Sequence, residues 1–130
     1  MIEIASVLTV ALLFGGMALF SFGFAAFLFT ALPMPQARST IRAAFPHFYL
    51  FVLTTAVVGG VLLIGVDTLS ALLMGVIAIT VVPTRQLLMP AINAATDRGD
   101  KSRFKWLHGV SVLITLAHIA LAGWALARLV

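Results

Sequence analysis

Apolar residues run along this chain in four long stretches free of any Asp, Glu, Lys or Arg: residues 4–37, 43–66, 68–84 and 106–127. A helix needs about 20 apolar residues to cross the roughly 30 Å hydrocarbon core of a bilayer. The pattern therefore predicts four membrane-spanning helices, near residues 4–31, 45–66, 68–88 and 104–127. The first is expected to stop at Leu32-Pro33-Met34-Pro35, because two prolines one residue apart do not continue a helix. Asp67-Thr68 reads as a tight turn with Asp67 capping the third helix. Pro83 is expected to kink that helix close to Arg85. Residues 89–103 read as the one long polar loop, in which Asp100 or Ser102 would cap the fourth helix. The expected architecture is an all-α membrane protein, with residues 1–130 forming one four-transmembrane-helix bundle.

Composition agrees. Hydrophobic residues make up 62% of the 130 and charged residues 9%, against about half and a quarter in soluble domains. A soluble domain this small leaves too much surface exposed to hide that apolar content, and disordered chains are poor in apolar residues. There is no Cys, which removes disulfides, thiolate metal sites and cysteine nucleophiles. The first charge is Glu3, and the apolar run after it far exceeds the 7–15 residues of a secretory signal, so this segment is expected to stay in the membrane. Four spans put seven of the eight Lys and Arg residues on one side and only Arg128 on the other. Positive residues stay cytoplasmic, so the basic turns are expected inside and both termini outside, in the bacterial inner membrane. The net charge of +4 then serves topology and contact with anionic lipid rather than nucleic acid.

Small residues mark the helix faces. Thr9, Gly16, Gly23 and Thr30 recur every seven residues, and Ala56-x-x-x-Gly60 and Ala71-x-x-x-Gly75 repeat the device. Such stripes let helix backbones approach closely in a bilayer, so helix packing is the expectation, with a ligand groove as the alternative. In the fourth span His108, Ser111, Thr115 and His118 fall within a sector roughly 80° wide at 100° per residue. Polar side chains facing lipid would go unpaired at several kcal/mol each, so this stripe is expected to face the bundle interior, His118 about 15 Å deeper than His108.

Polar chemistry converges at one level, on Arg42, His47, Arg85, Asn93 and His108, and each has a plain reading beside a functional one. Arg42 and Arg85 at span ends snorkel, or form a site if buried between helices. His47, flanked by Phe45-Pro46 and Phe48-Tyr49, belongs to an interfacial aromatic belt or acts as a ligand. Asn93, after Pro90, is a loop or cap residue or a member of a site. His108 is an interhelical hydrogen-bonder or a ligand, and an intramembrane His118 raises the same choice. Bis-His haem ligation would need His47 with His108. No carboxylate lies inside a span to relay protons or couple ions. Phosphate-binding glycine loops, His-Glu-x-x-His motifs and complete nucleophile triads are absent.

Several segments resemble a known family: Gly15–Phe22, Phe29–Pro33, Ile41–Tyr49, Leu88–Ala95 and Phe104–Val112. Together they resemble the transmembrane-protein-205-like family of small four-span proteins built around a domain of unknown function. The resemblance implies a multi-pass membrane protein of unassigned activity and points to Arg42, Asn93, His108 and Ser111 as its signature. His47 stands where relatives often carry another polar or aromatic residue. A looser similarity links the Met-Pro…Asn and Leu-His layout to anthrone-oxygenase-like membrane proteins. The Arg that usually follows that His is replaced by Ser111, which counts against an oxygenase role. The sequence leads to a non-enzymatic packing or accessory subunit associated with itself or with other membrane subunits, with no cofactor. Its alternative is a small-molecule, haem or metal-ion site, oxidoreductase-like or for transport, on His108, Ser111, Asn93, Arg42, Arg85, His47 and His118.

Overall fold

The computed structural model describes residues 1–130 and is helical almost throughout. Four helices follow in order: α1 (Ile2–Ala31), α2 (Met34–Leu63), α3 (Thr68–Asp97) and α4 (Lys101–Leu129). At 1.5 Å per residue each is about 45 Å long, more than the hydrocarbon thickness. Each helix packs on its sequence neighbours and α4 closes back onto α1, so α2 and α4 lie diagonally across the bundle. Short connections between antiparallel neighbours impose this up-down order.

The turns are tighter than the sequence implied. Between α1 and α2 only Leu32 and Pro33 are extended. Pro33 ends α1 as expected, but Pro35 sits in the first turn of α2. A first-turn N–H has no intrahelical acceptor in any case, so proline is tolerated there. The expected polar loop over residues 89–103 is a correction: Met89–Asp97 is helical, and α4 begins at Lys101. Met89 packs against the core, and Ala95 is fully buried, so a helical apolar face outweighs the polar composition. The real turn is Arg98-Gly99-Asp100. Gly99 has φ of 68°, its N–H donates to the Thr96 carbonyl, and the Asp100 N–H donates to Ala95. This is the Schellman closure that glycine permits.

Two helices change register part-way. In α3 a π turn spans Thr84–Leu88, where the Met89 N–H donates to the Thr84 carbonyl five residues back. It lies between Pro83 and Pro90, which both lack a donor. In α1 a π turn spans Leu19–Phe24. The extra residue in that turn rotates the remainder of the helix by about 100°, which breaks the seven-residue stripe. Thr9 and Gly16 pack against α2: the Thr9 methyl faces Gly59, and a Cβ on Gly16 would fall 2.5 Å from the tip of the Phe51 ring. Within the π turn Gly23 meets only Leu19 of its own helix, and beyond it Thr30 is exposed.

The core combines Val10, Leu13 and Met17 with Val52, Ala56 and Leu63, then Met74, Ile77 and Val81, closed by Ala122 and Ala125. At the basic end Phe20 stacks on Phe48 at 4.1 Å and meets Phe45 edge-on at 5.4 Å. Only 23 of the 130 residues are buried, and large apolar side chains such as Ile79 (73% exposed) and Leu113 (68% exposed) point outward. Water would not tolerate that surface on four helices at once, whereas lipid does.

Candidate functional site

The deepest polar contact joins α3 to α4. His118 is buried, and its Nε2 lies 2.7 Å from Thr80 Oγ1. The Thr80 hydroxyl has one proton and directs it to the Val76 carbonyl at 2.7 Å. With that proton on Val76, His118 Nε2 carries the hydrogen and donates to Thr80. Ser111, one face along, is also buried and donates to the His108 carbonyl at 2.8 Å. Of the expected α4 stripe, Ser111 and His118 are thus buried and Thr115 is half-buried. His108 itself is exposed and lies flat against Phe104, with ring centroids 5.3 Å apart.

At the basic end the expected constellation separates. Arg42 forms a two-pronged pair with Asp97, at 2.7 and 3.0 Å, which ties the start of α2 to the end of α3 on the exposed surface. Arg85 is half-buried; its Nε donates to the Pro46 carbonyl at 3.2 Å and its Nη1 to Gln86 Oε1 at 2.8 Å. Asn93 is half-buried on the last turns of α3, and His47 is exposed on α2. His47 and His108 sit on diagonal helices that do not pack together, and both side chains point outward. The structure joins Arg85 to the backbone beside His47 but does not gather the seven candidate residues around one centre. No group of three or more His, Asp or Glu side chains lies close enough to hold a metal ion.

Sequence reasoning missed the partners rather than the positions. The opposite end carries a second two-pronged pair, Arg128 with Asp67 at 2.9 and 3.0 Å. Asp67 also caps α3, accepting from the Ser70 N–H at 3.2 Å and from the Ser70 hydroxyl. The Arg128 guanidinium, then the Ser70 hydroxyl, hold its carboxyl well below the usual carboxylate range. Opposite charges at the two ends of the other side were the available signal, since Asp67 and Arg128 are the only charges there besides Glu3.

Two clefts open between α2 and α3. One, of about 410 Å³, is lined by small residues including Ala56, Gly60, Ala71 and Gly75. The other, of about 210 Å³, runs from Leu53 and Val81 past Tyr49 to Arg85 and Gln86 at the basic end.

Fold and polar contacts together define the class: a multi-pass, all-α membrane protein whose buried polar groups are spent on its own helices. Within that class the chain belongs to the family described as Domain of unknown function (DUF4149), which matches residues 8–101. The match ends where α4 begins and does not itself carry the finer transmembrane-protein-205-like grouping. No curated protein and no solved structure matches the chain.

Proposed function

We propose that this chain is a non-enzymatic accessory protein of the membrane, which works by packing as a subunit of a homo-oligomer or a larger membrane complex. One observation carries the reading: each of the five buried polar residues is engaged within the protein. Ser6 bonds Ile2, Ser70 bonds Asp67, Thr84 bonds Thr80, Ser111 bonds His108 and His118 bonds Thr80. Every fully buried polar side-chain atom has a partner within the protein, so the closed interior offers a substrate little to be oriented by, while small residues on the helix faces favour close helix contact. The motif segments Leu88–Ala95 and Phe104–Val112 support placing the chain with transmembrane-protein-205-like proteins. The seven-to-one split of basic residues supports an inner-membrane protein with its basic turns in the cytoplasm.

Native mass measurement and crosslinking on protein extracted in mild detergent test this reading. The expected particle holds several copies, or this chain with another membrane subunit in fixed proportion. A single chain under every mild extraction condition overturns it. A haem or metal-ion site draws no support from His47 and His108, which face outward on diagonal helices.

A further inference from the structure

The geometry points to a binding site for an anionic phospholipid in the cleft between α2 and α3, with the headgroup phosphate on Arg85 and an acyl chain along Leu53 and Val81. Arg85 is the half-buried cation of this bundle that lacks a carboxylate. The ion pairs of the protein are Arg42–Asp97 and Arg128–Asp67. Asp100 caps α4 through the Arg103 N–H, and Glu3 lies at the opposite end of the bundle. Nη2 of Arg85 has no protein partner, whereas Nε and Nη1 are held by Pro46 and Gln86. Those two bonds fix the guanidinium plane and leave the Nη2 hydrogens free to donate to a phosphate oxygen, a charge-assisted contact that suits phosphate.

The surroundings select an amphiphile over a free anion. Five of the seven lining residues are hydrophobic, and the cleft of about 210 Å³ is open along the bundle. Its apolar wall extends from Arg85 toward the membrane centre, since Leu53 lies seven residues, about 10 Å, beyond the level of Pro46. Tyr49, 4% exposed, stands between the charge and the apolar wall, where an aromatic ring with a polar tip suits the interface. A positive end on an apolar groove between membrane helices is the complement of an anionic lipid. Free phosphate would gain the charge but nothing from Leu53, Val81 and Val82. A zwitterionic lipid of equal chain length would gain the groove but carries a compensating cation.

The test is lipid titration followed by native mass measurement, read separately on one-chain and multi-chain particles so that it stands apart from the association proposed above. Phosphatidylglycerol is expected to bind at one per chain, at least tenfold more tightly than phosphatidylcholine with the same chains, and inorganic phosphate is expected not to compete. Arg85→Gln should weaken phosphatidylglycerol at least tenfold, Arg85→Lys should retain most binding, and Arg38→Gln, which removes an exposed charge from the first turns of α2, should leave it unchanged. Leu53→Trp, which fills the groove with Arg85 intact, should also weaken it. Should Arg85→Gln fail to fold, Gln86→Glu supplies the same loss by placing a carboxylate on Arg85. Equal binding by these variants and the parent overturns the assignment. So does equal loss in Arg38→Gln, equal binding of phosphatidylcholine, or displacement by phosphate.

Discussion

At the scale of single residues, the chain shows how a membrane interior treats a polar group. Thr80 satisfies its own proton on the Val76 carbonyl and then accepts from His118. The two partners therefore lose unequally. His118→Leu leaves the Thr80 hydroxyl still bonded to its backbone, whereas Thr80→Val strands the His118 N–H between helices. Removing one partner of a buried bond costs more when the other stays unsatisfied. Thr80→Val is expected to destabilise the bundle more than His118→Leu. The pair's coupling in a double-mutant cycle should be about 0.6 to 1.7 kcal/mol, measured by unfolding from mixed micelles. Equal losses, or coupling near zero, would contradict the assigned direction of that bond. A second contrast concerns neighbouring glycines. A Cβ on Gly16 meets Phe51 at 2.5 Å, and one on Gly15 meets nothing within 4 Å. Gly16→Leu should destabilise the bundle by about 1–3 kcal/mol, read from its unfolding curve, and Gly15→Leu should change it little.

At the scale of elements, helix ends and register changes decide where side chains point. Asp67 and Asp100 cap α3 and α4, and losing such a cap costs about 1 kcal/mol. Asp67 adds a pH dependence through its pairing with Arg128 and Ser70, which lowers its folded pKa. A group lowered in this way contributes fully above its unfolded value, about 3.9 for Asp, and the contribution fades as pH falls toward the folded value. Stability is therefore expected to be flat near neutrality and to decline below about pH 4. Arg128→Gln should remove much of that acid sensitivity, as followed by helicity against pH. An unchanged acid profile in that variant would dissociate Asp67 from it. The π turn of α1 shows the same level of control. It explains why Gly16 packs on α2 while Gly23, seven residues on, does not.

At the scale of the whole molecule, polar bonds at three levels tie α2, α3 and α4 together: Arg42–Asp97 at the basic end, Thr80–His118 inside and Asp67–Arg128 at the other end. Helix α1 joins them through apolar packing. The charge asymmetry between those ends predicts topology. Reporters fused to each terminus that fluoresce only in the cytosol should stay dark on both, and moving basic residues from the α1–α2 turn to the termini should weaken the preference. Fluorescence from either parental fusion would reverse the proposed orientation.

How far the chain alone discloses its structure depends on the range of the interaction. Four helices, the stop at Pro33 and the cap at Asp67 derive from runs of apolar residues and from neighbours a few positions apart, and the structure carries all of them. The helicity of Met89–Asp97 was hidden, because its polar composition resembles a loop and its helix is held by contact with α4. The candidate site divided in the same way. That Ser111 and His118 face inward was legible from a 100° repeat. The partners of Arg42, Arg85 and His118 lie 55, 39 and 38 residues away, and no local pattern encodes them. Apolar length and charge placement are properties of the chain in its solvent, so the bilayer reads them directly from the sequence. Pairing is a property of which helix faces meet and at what depth, and only the packed bundle, with its two π turns, decides that.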